Sequence, residues 1–587
     1  MIAVISAAVN ARGWPAWAAI AAAVSLVYGP SLDNAFQYDD IHSIVENPHI
    51  RNLANLDDFF WRPDMFSGDP KGAMYRPLVL ASYACNYALG EYRETGYHLF
   101  NLVLHLANCL LVCALARRLT GMTAVGLAGG MLFALHPVAG EPVNYVSSRS
   151  ESLSAFFSLN CLVLYVRANG SPVHYWGSVA SFAAALLAKS IGLMAPLGLA
   201  LYDLSGGRAL WRRSKYYAAF VLVGTVYVLA VRQALQTALV EHPVRSLWVQ
   251  LCTQVKVLVY YLKLLLVPTG QSVEHQIALA GGLGDGAVLA AVALMGSVGF
   301  WLLALWRRAP AVGFWTVWPA LFLLPTIVVP LNVLANEHRL YLPALGFSVL
   351  CGWVLLVRVG GNRGWIVCAT MALAFGALAV QRSQVWRTPT ALWADALAKG
   401  PLMPRPHLYM GDQYKGEGRN EEALKSYDRA LKVNPALLSG GDLLVIHNNT
   451  GAAYLALGRS EEAMATYRHA LAIDPDYQPA REALEALEAL GAVAWDPAAE
   501  ARYQSGMRLL VAGQLERAIA QLRSGLDAQR HPKLYHGLAL AFERSGDPRA
   551  AIASYRAILG LPNVPESLAA GARQRLAALA GEEDVSE

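Results

Sequence analysis

Eleven residues of this chain have the types and placement to do chemistry together: Asp39, Asp40, Arg76, His136, Glu141, Arg149, Glu151, Lys189, Glu337, His338 and Arg339. Each stands at or near the end of an otherwise apolar run. Acids mixed with cations at a lipid boundary suit one reaction type well. A carboxylate takes the proton from an attacking hydroxyl, and arginine, lysine or histidine steadies a phosphate that leaves with a lipid tail. The densest stretch runs from His136 to Glu151, between the uncharged runs 122–135 and 152–166. At mid-bilayer each charge there would cost roughly 2.5–3.5 kcal/mol, so a benefit must keep it at the boundary. A helix beginning at Pro142, a residue favoured at the first helical position, would set Glu141, Tyr145 and Arg149 four apart on one face. Each residue also has a plainer role open to it. Glu141 and Arg149 could be an ion pair pinning two helices, Lys189 a snorkelling helix end, Arg339 an interfacial anchor, and Asp39-Asp40 a solvated turn. His98 and His105, inside an apolar run, read as core.

The elements that must position these groups are apolar. Of 587 residues, 55% are hydrophobic and 15% charged, which fits an integral membrane protein and excludes an ordinary soluble globule. A net charge of +5 is too mild to point to nucleic acid. The seven cysteines show no metal-ligand spacing and read as small hydrophobes. From about Trp386 onward the composition turns polar, which divides the chain into a membrane body, 1–385, and a repeat-bearing tail, 386–587.

Apolar segments recur at 14–30, 98–116, 122–136, 152–167, 174–188, 190–204, 216–236, 248–268, 287–306, 311–334, 340–357 and 364–381. Basic clusters such as Arg117-Arg118, Arg212-Arg213-Lys215 and Arg307-Arg308 read as cytoplasmic. Segment 248–268 carries Lys256 and Lys263 and breaks the alternation. It is therefore read as re-entrant or interfacial, which leaves about eleven crossings. This places the loop 31–97, the His136–Glu151 stretch, Lys189, Glu337 to Arg339 and the tail on the outer face. If 248–268 crosses fully, the tail is cytoplasmic. Phe59, Phe60, Trp61 and Phe66 suggest that the loop 31–97 lies on the membrane surface.

The tail repeats. Gly411, Tyr414, Gly418, Ala423, Tyr427, Ala430 and Pro435 recur as Gly451, Tyr454, Gly458, Ala463, Tyr467, Ala470 and Pro475. That is the small-and-aromatic pattern of a tetratricopeptide repeat, and two weaker units follow around Gly506 and Tyr535. Stacked helix pairs of this kind commonly hold a partner segment on their concave face.

The order Tyr38-Asp39-Asp40, Tyr75-Arg76-Pro77-Leu78, Tyr97-His98 with Asn101 and His105, His136-Pro137 with Glu141 and Arg149, then Glu337-His338-Arg339-Leu340-Tyr341-Leu342-Pro343 ahead of the repeats resembles the transmembrane and tetratricopeptide-repeat O-mannosyltransferases. It looks most like their bacterial relatives, within the GT-C class of glycosyltransferases. The resemblance implies an all-α polytopic body joined to a repeat solenoid, and an inverting transfer of a sugar, mannose among the candidates, from a polyprenyl-phosphate donor. The implied acceptor is a Ser or Thr hydroxyl of an exported protein presented by the repeats, at the outer face of a bacterial inner membrane. By the same resemblance Asp39 or Asp40 is the general base, with Asp40 favoured. Arg149, Lys189 and Arg339 would face the donor phosphate with His136 and Arg76. Glu141, Glu151, Tyr145, Glu337, His338 and Tyr341 would support them. His338-Arg339 departs from the Arg-Tyr pair that eukaryotic relatives tend to carry after the glutamate. No residue pattern demands a metal, although Asp39-Asp40 could hold a divalent ion. The alternatives are transfer to a glycolipid or surface polysaccharide, and a non-catalytic repeat-bearing scaffold. A transporter fits less well, because the charges gather at one membrane face rather than through its depth.

Overall fold

The structure, a computed structural model, describes residues 14–68, 74–168, 171–240, 245–330, 333–492, 496–561, 564 and 566–583. The described residues contain helices and no strand. The chain divides into two compact units, residues 1–401 and 402–587.

The first unit is an integral membrane body. Among the described residues seven helices are long and apolar enough to cross a membrane, fewer than the about eleven crossings expected: Pro15–Asp33, Glu94–Thr120, Leu210–Arg232, Leu247–Leu266, Gly286–Arg308, Glu337–Val359 and Gly361–Val385. An eighth crossing is available if Thr123–Leu135 and Pro137–Asn144, which meet at 56°, count as one broken span. Segment 248–268 is one unbroken helix, Leu247–Leu266. Its Lys256 is paired with Asp285 at 3.2 Å, and its Lys263 reaches the Thr269 carbonyl, which is how the helix carries two cations. The first loop folds as a string of short helices, Ile41–Val45 to Pro63–Phe66, of which Asn47 and Asn52 cap two. It buries Phe59 and Phe66 and leaves Trp61 83% exposed. Residues 69–73 of that loop lie outside the described residues.

One close packing brings the site segments together. The helix Thr123–Leu135 delivers the His136–Glu151 stretch, and the helix Tyr341–Trp353 follows directly on Glu337–Leu340. They meet at glycines. A Cβ on Gly129 would stand 2.8 Å from Val349 Cγ2 and 2.9 Å from its Cα, and one on Gly352 would stand 3.1 Å from Ala128 Cβ. In lipid, where apolar burial drives helix association little, such small-residue contacts let backbones approach.

The second unit is a solenoid of paired helices. Pro404–Gly416 pairs with Asn420–Val433, Gly440–Ala456 with Ser460–Ile473, Pro497–Val511 with Leu515–Ala528, and Pro532–Ser545 with Pro548–Leu559. The repeated sequence positions do the same work in each unit. A Cβ on Gly411 would come within 2.5 Å of Tyr427, one on Gly451 within 2.7 Å of Tyr467, and one on Gly506 within 2.5 Å of Leu522. Gly418, Gly458, Gly513 and Gly546 turn between the paired helices at φ of +73° to +75°, where only glycine fits without cost.

Gly129→Val should force the two site-bearing helices apart and cost at least about 1–3 kcal/mol, read as a lower Tm of the detergent-solubilised protein. Gly296→Ala, whose Cβ would meet nothing within 4 Å, should leave Tm unchanged.

Candidate functional site

The stretch 136–151 does not form the single helix expected from Pro142. Gly140–Asn144 is one turn, Tyr145 is extended at φ −102° and ψ 114°, Val146–Ser148 is a 3-10 turn, and the long helix starts at Arg149. Glu141, Tyr145 and Arg149 therefore point to three different places. Each finds polar partners on a separate element, and these bonds outweigh the propensity to continue one helix. The backbone groups freed by the break are satisfied, as membrane burial requires: the Tyr145 carbonyl accepts from Asn101 at 3.4 Å and the Val146 carbonyl from the Tyr83 hydroxyl at 3.3 Å.

Tyr145 and Ser147 hold the acidic pair. The Tyr145 hydroxyl accepts from the Asp39 backbone N–H at 3.0 Å. Asp40 Oδ1 accepts from the Ser147 N–H at 2.7 Å and from its hydroxyl at 2.5 Å, while Oδ2 accepts from the Gln37 N–H at 3.0 Å. Asp40 is fully buried, so its carboxylate is committed. Asp39 is different. Its side chain is 39% exposed, with His42 Nε2 at 3.6 Å. The pair is presented by Tyr38 at φ +47°, a conformation that costs a non-glycine residue of order 1 kcal/mol and is held here by the contacts around it.

Farther along, Glu151 accepts from Lys189 at 2.6 Å. His338 joins Glu141 to Glu151: its Nδ1 lies 2.7 Å from Glu141 Oε1, its backbone N–H donates to Glu141 Oε2 at 3.1 Å, and its Nε2 lies 4.0 Å from Glu151. Arg76 and Arg339 stand close enough to act electrostatically on both Lys189 and His338. Among the described residues neither forms an ion pair with a carboxylate. Arg76 touches Ser150 at 3.5 Å, and Arg339 donates to the Leu334 and Val333 carbonyls at 3.2 and 3.0 Å. Glu151 pairs with Lys189 and acts on Arg76 as well, so the three cations outnumber the carboxylate among them and leave positive charge to face an anion. The segment 145–151 thus touches Asp39, Asp40, Arg76 and Lys189 in turn.

Four expected site residues sit elsewhere. Arg149 is fully buried in a cage: Nε donates to Asn101 at 2.7 Å, Nη1 to Ser82 and Asn86 at 2.9 and 2.8 Å, and Nη2 to the Tyr97 carbonyl at 2.9 Å. The Phe100 ring covers it at 4.3 Å. His136 caps the turn after it by accepting from the Val138 N–H at 3.3 Å, and its other ring nitrogen lies 3.1 Å from the Leu265 carbonyl. The Tyr341 hydroxyl bonds His105 and Asn108 at 2.8 and 3.1 Å, away from the cations. Glu337 faces the other side of its turn from His338. It accepts from Ser272 and Gln271 at 2.6 and 3.0 Å and lies 3.6 Å from Arg382. Ser147, Tyr83 and Arg382 were not expected from the sequence, and Asn101 stood there only as a motif position with no role. For Arg382 a signal existed, because a lone cation at the end of an apolar run must find a partner; here it also binds Asp395 at 3.1 Å. Among the described residues no group of three His, Cys, Asp or Glu stands where it could hold a metal ion.

A family profile described as tetratricopeptide repeat matches residues 403–476. Protein O-mannosyl-transferase F38B6.6 of Caenorhabditis elegans is 24% identical over 430 residues, covering 70% of this chain and 61% of its own length. Protein O-mannosyl-transferase Tmtc3 of Drosophila melanogaster is 26% identical, covering 70% of this chain and 54% of its own. The human TMTC1 protein O-mannosyl-transferase is 24% identical, covering 72% and 55%. The chain is similar to protein O-mannosyl-transferases. The likeness read from the motifs is the one these relatives carry, and the chain spans little more than half of their length. Among solved structures, the crystal structure of ArnT from Cupriavidus metallidurans bound to undecaprenyl phosphate matches at 15% identity and a TM-score of 0.40, over 83% of this chain and 82% of that one.

Burial pushes the Asp40 carboxyl up to about 7, against the pull of its donated hydrogen bonds. A carboxyl that holds its proton more tightly in the folded chain than in the unfolded one stabilises the fold at low pH. It loses that contribution as pH climbs through the interval between the two values. Relative to Asp40→Asn, the wild-type protein should therefore lose stability from about pH 4 to about pH 7, by of order 4 kcal/mol, and stay level above. Thermal unfolding of both proteins across that range checks it; parallel curves would contradict it.

Proposed function

We propose that this chain is a membrane glycosyltransferase of the GT-C type. It moves a sugar from a polyprenyl-phosphate donor to a Ser or Thr hydroxyl of an exported protein, at the outer face of the membrane. The observation that carries this reading is the pair of guanidinium groups, Arg76 and Arg339, which form no ion pair with a carboxylate among the described residues and stand beside Lys189 and His338. They adjoin the segment that also presents an exposed carboxylate at Asp39. The names of the relatives agree with it.

In this reading Asp39, whose carboxylate is accessible, takes the proton as the acceptor oxygen attacks the sugar C1. Asp40, buried and bonded by Ser147 and Gln37, has the positioning role in this reading. The bond from C1 to the phosphate oxygen breaks, and its electron pair leaves with the lipid phosphate. Arg76, Lys189 and Arg339 offset the charge that gathers there. One carboxylate on one side and one anion site on the other fit a single displacement with inversion. Glu141 orients His338 and, through its backbone N–H, the start of the turn that carries Arg339. Arg149 contributes by fixing the first turn of its helix. The repeats hold the acceptor polypeptide.

The test is transfer of labelled sugar from a polyprenyl-phosphate donor in membranes, resolved into protein and lipid fractions. Label should enter protein. Asp39→Asn should lower turnover at least about 100-fold while leaving Tm unchanged. Arg339→Ala should weaken donor use with the fold intact. Full turnover by Asp39→Asn, or label confined to lipid, would overturn the corresponding part of the reading.

A further inference from the structure

The turn that presents Asp39 also presents a histidine. His42 places its Nε2 3.6 Å from the Asp39 carboxylate and its Nδ1 3.0 Å from the Ser67 hydroxyl. One ring thus joins an exposed carboxylate to a buried hydroxyl.

The contact with Ser67 is held by backbone packing. The turn Ile41–Val45 is wound wide, the Glu46 N–H bonding the Ile41 carbonyl five residues back at 2.8 Å; such turns are rare and recur at functional sites. Asn47, with no exposed surface, clamps the chain at 65–66 onto this turn by donating to the Ser43, Met65 and Phe66 carbonyls at 3.2, 3.1 and 3.1 Å. The Gly68 N–H donates to the His42 carbonyl at 2.8 Å. A Cβ on Gly68 would stand 2.6 Å from the Glu46 carbonyl oxygen, so only glycine lets the segment lie this close. Ser67, 2% exposed, is thereby pressed to the ring. On the other side, the Ser43 hydroxyl donates to the Asp39 carbonyl at 2.6 Å, and Tyr145 holds the Asp39 N–H at 3.0 Å. Both ends of the line Asp39–His42–Ser67 are therefore fixed. The bond at one ring nitrogen decides what the other can do. With Nδ1–H donated to Ser67, His42 turns the lone pair of Nε2 toward Asp39.

We propose that His42 orients the Asp39 carboxylate and receives from it the proton taken from the acceptor. This rests on the proposed transfer reaction, in which Asp39 is the base. The acceptor O–H bond breaks as its oxygen bonds the sugar carbon. The proton goes to an Asp39 oxygen and then to His42 Nε2, while Nδ1–H stays donated to Ser67. Asp39 is again a carboxylate, and the imidazolium, whose side chain is 30% exposed, gives its proton to water. His42 acts on the substrate only through Asp39, as a positioning residue.

The test is transfer of labelled sugar by membranes holding the full chain, with kcat and donor KM measured separately. His42→Ala should lower kcat about 10-fold, the weight of one hydrogen bond to a charged group, and leave donor KM unchanged because the cations are untouched. Added imidazole should restore kcat. Pyrazole, a ring of the same shape that is not basic near neutral pH, should not. His42→Gln should stay slow, since an amide cannot take the proton. Unchanged kcat in His42→Ala, a rise in donor KM alone, rescue by both rings or by neither, or full turnover by His42→Gln would overturn the proposal. No transfer by the wild type would overturn the reaction itself and the proposal with it. Should His42→Ala not fold, Ser67→Ala keeps the ring and frees it. It should lower kcat at unchanged donor KM, and wild-type turnover would overturn the proposal.

Discussion

The structure depends on how a buried carboxylate is satisfied. Asp40 sits with no exposed surface and takes its hydrogen bonds from Ser147 and Gln37. A carboxylate left unpaired there would cost several kcal/mol, so the loop carrying Asp40 and the bend carrying Ser147 are tied to one arrangement. With Ser147 fixed, Tyr145 reaches the turn at Asp39, Ser150 reaches Arg76, and Glu151 reaches Lys189. Glu141, on the other arm of the bend, captures His338. Residues scattered from 39 to 339 are gathered by a stretch of about a dozen residues, and the stretch keeps its bend because polar bonds pull its arms apart.

Much of this was legible in the sequence and some was not, for physical reasons. Apolar runs report burial directly, so helices could be read there, but which of them cross could not: of twelve runs about eleven were expected to cross, while seven helices among the described residues, or eight with the broken pair, are long and apolar enough, the one at 247–266 included. The repeats could be read because Gly411 and Gly451 face Tyr427 and Tyr467, a fit that constrains residue type at fixed spacing. Charge at apolar ends pointed to Arg76, Lys189 and Arg339, where both arginines act electrostatically on Lys189 and all three on His338, but it pointed equally to Arg149 and His136, which sit elsewhere. The orientation of each group did not follow. A periodicity argument puts Glu141, Tyr145 and Arg149 on one face only if the helix is unbroken, and the extended Tyr145 breaks it. Arg149 shows the limit most clearly. From sequence it is a cation beside an acidic stretch; in the fold it is enclosed by Ser82, Asn86, Asn101 and Tyr97, neutral partners that carry no signal at a distance. The preference for Asp40 over Asp39 came from the resemblance alone, since adjacent residues differ only in which way the backbone turns, and that is set by Tyr38 at its positive φ and by Ser147.

Two kinds of charge divide the labour in this protein. Committed charges, such as Asp40, Arg149, Glu337 and Asp203, fix the ends of helices and are saturated by their neighbours. Uncommitted ones, Asp39, Arg76 and Arg339, are only partly buried and are not saturated by hydrogen bonds from charged neighbours among the described residues. A membrane protein keeps the second kind only where something outside the chain completes it.

The central claim is that Arg76, Lys189 and Arg339 form one anion site. The most direct measurement is a structure of the full chain bound to a polyprenyl phosphate. The account predicts the phosphate oxygens within hydrogen-bonding distance of Arg339 and Lys189, with Asp39 open on the side where a sugar would lie. A phosphate seated against Arg149 instead, with Arg76 and Arg339 turned away from it, would contradict the account.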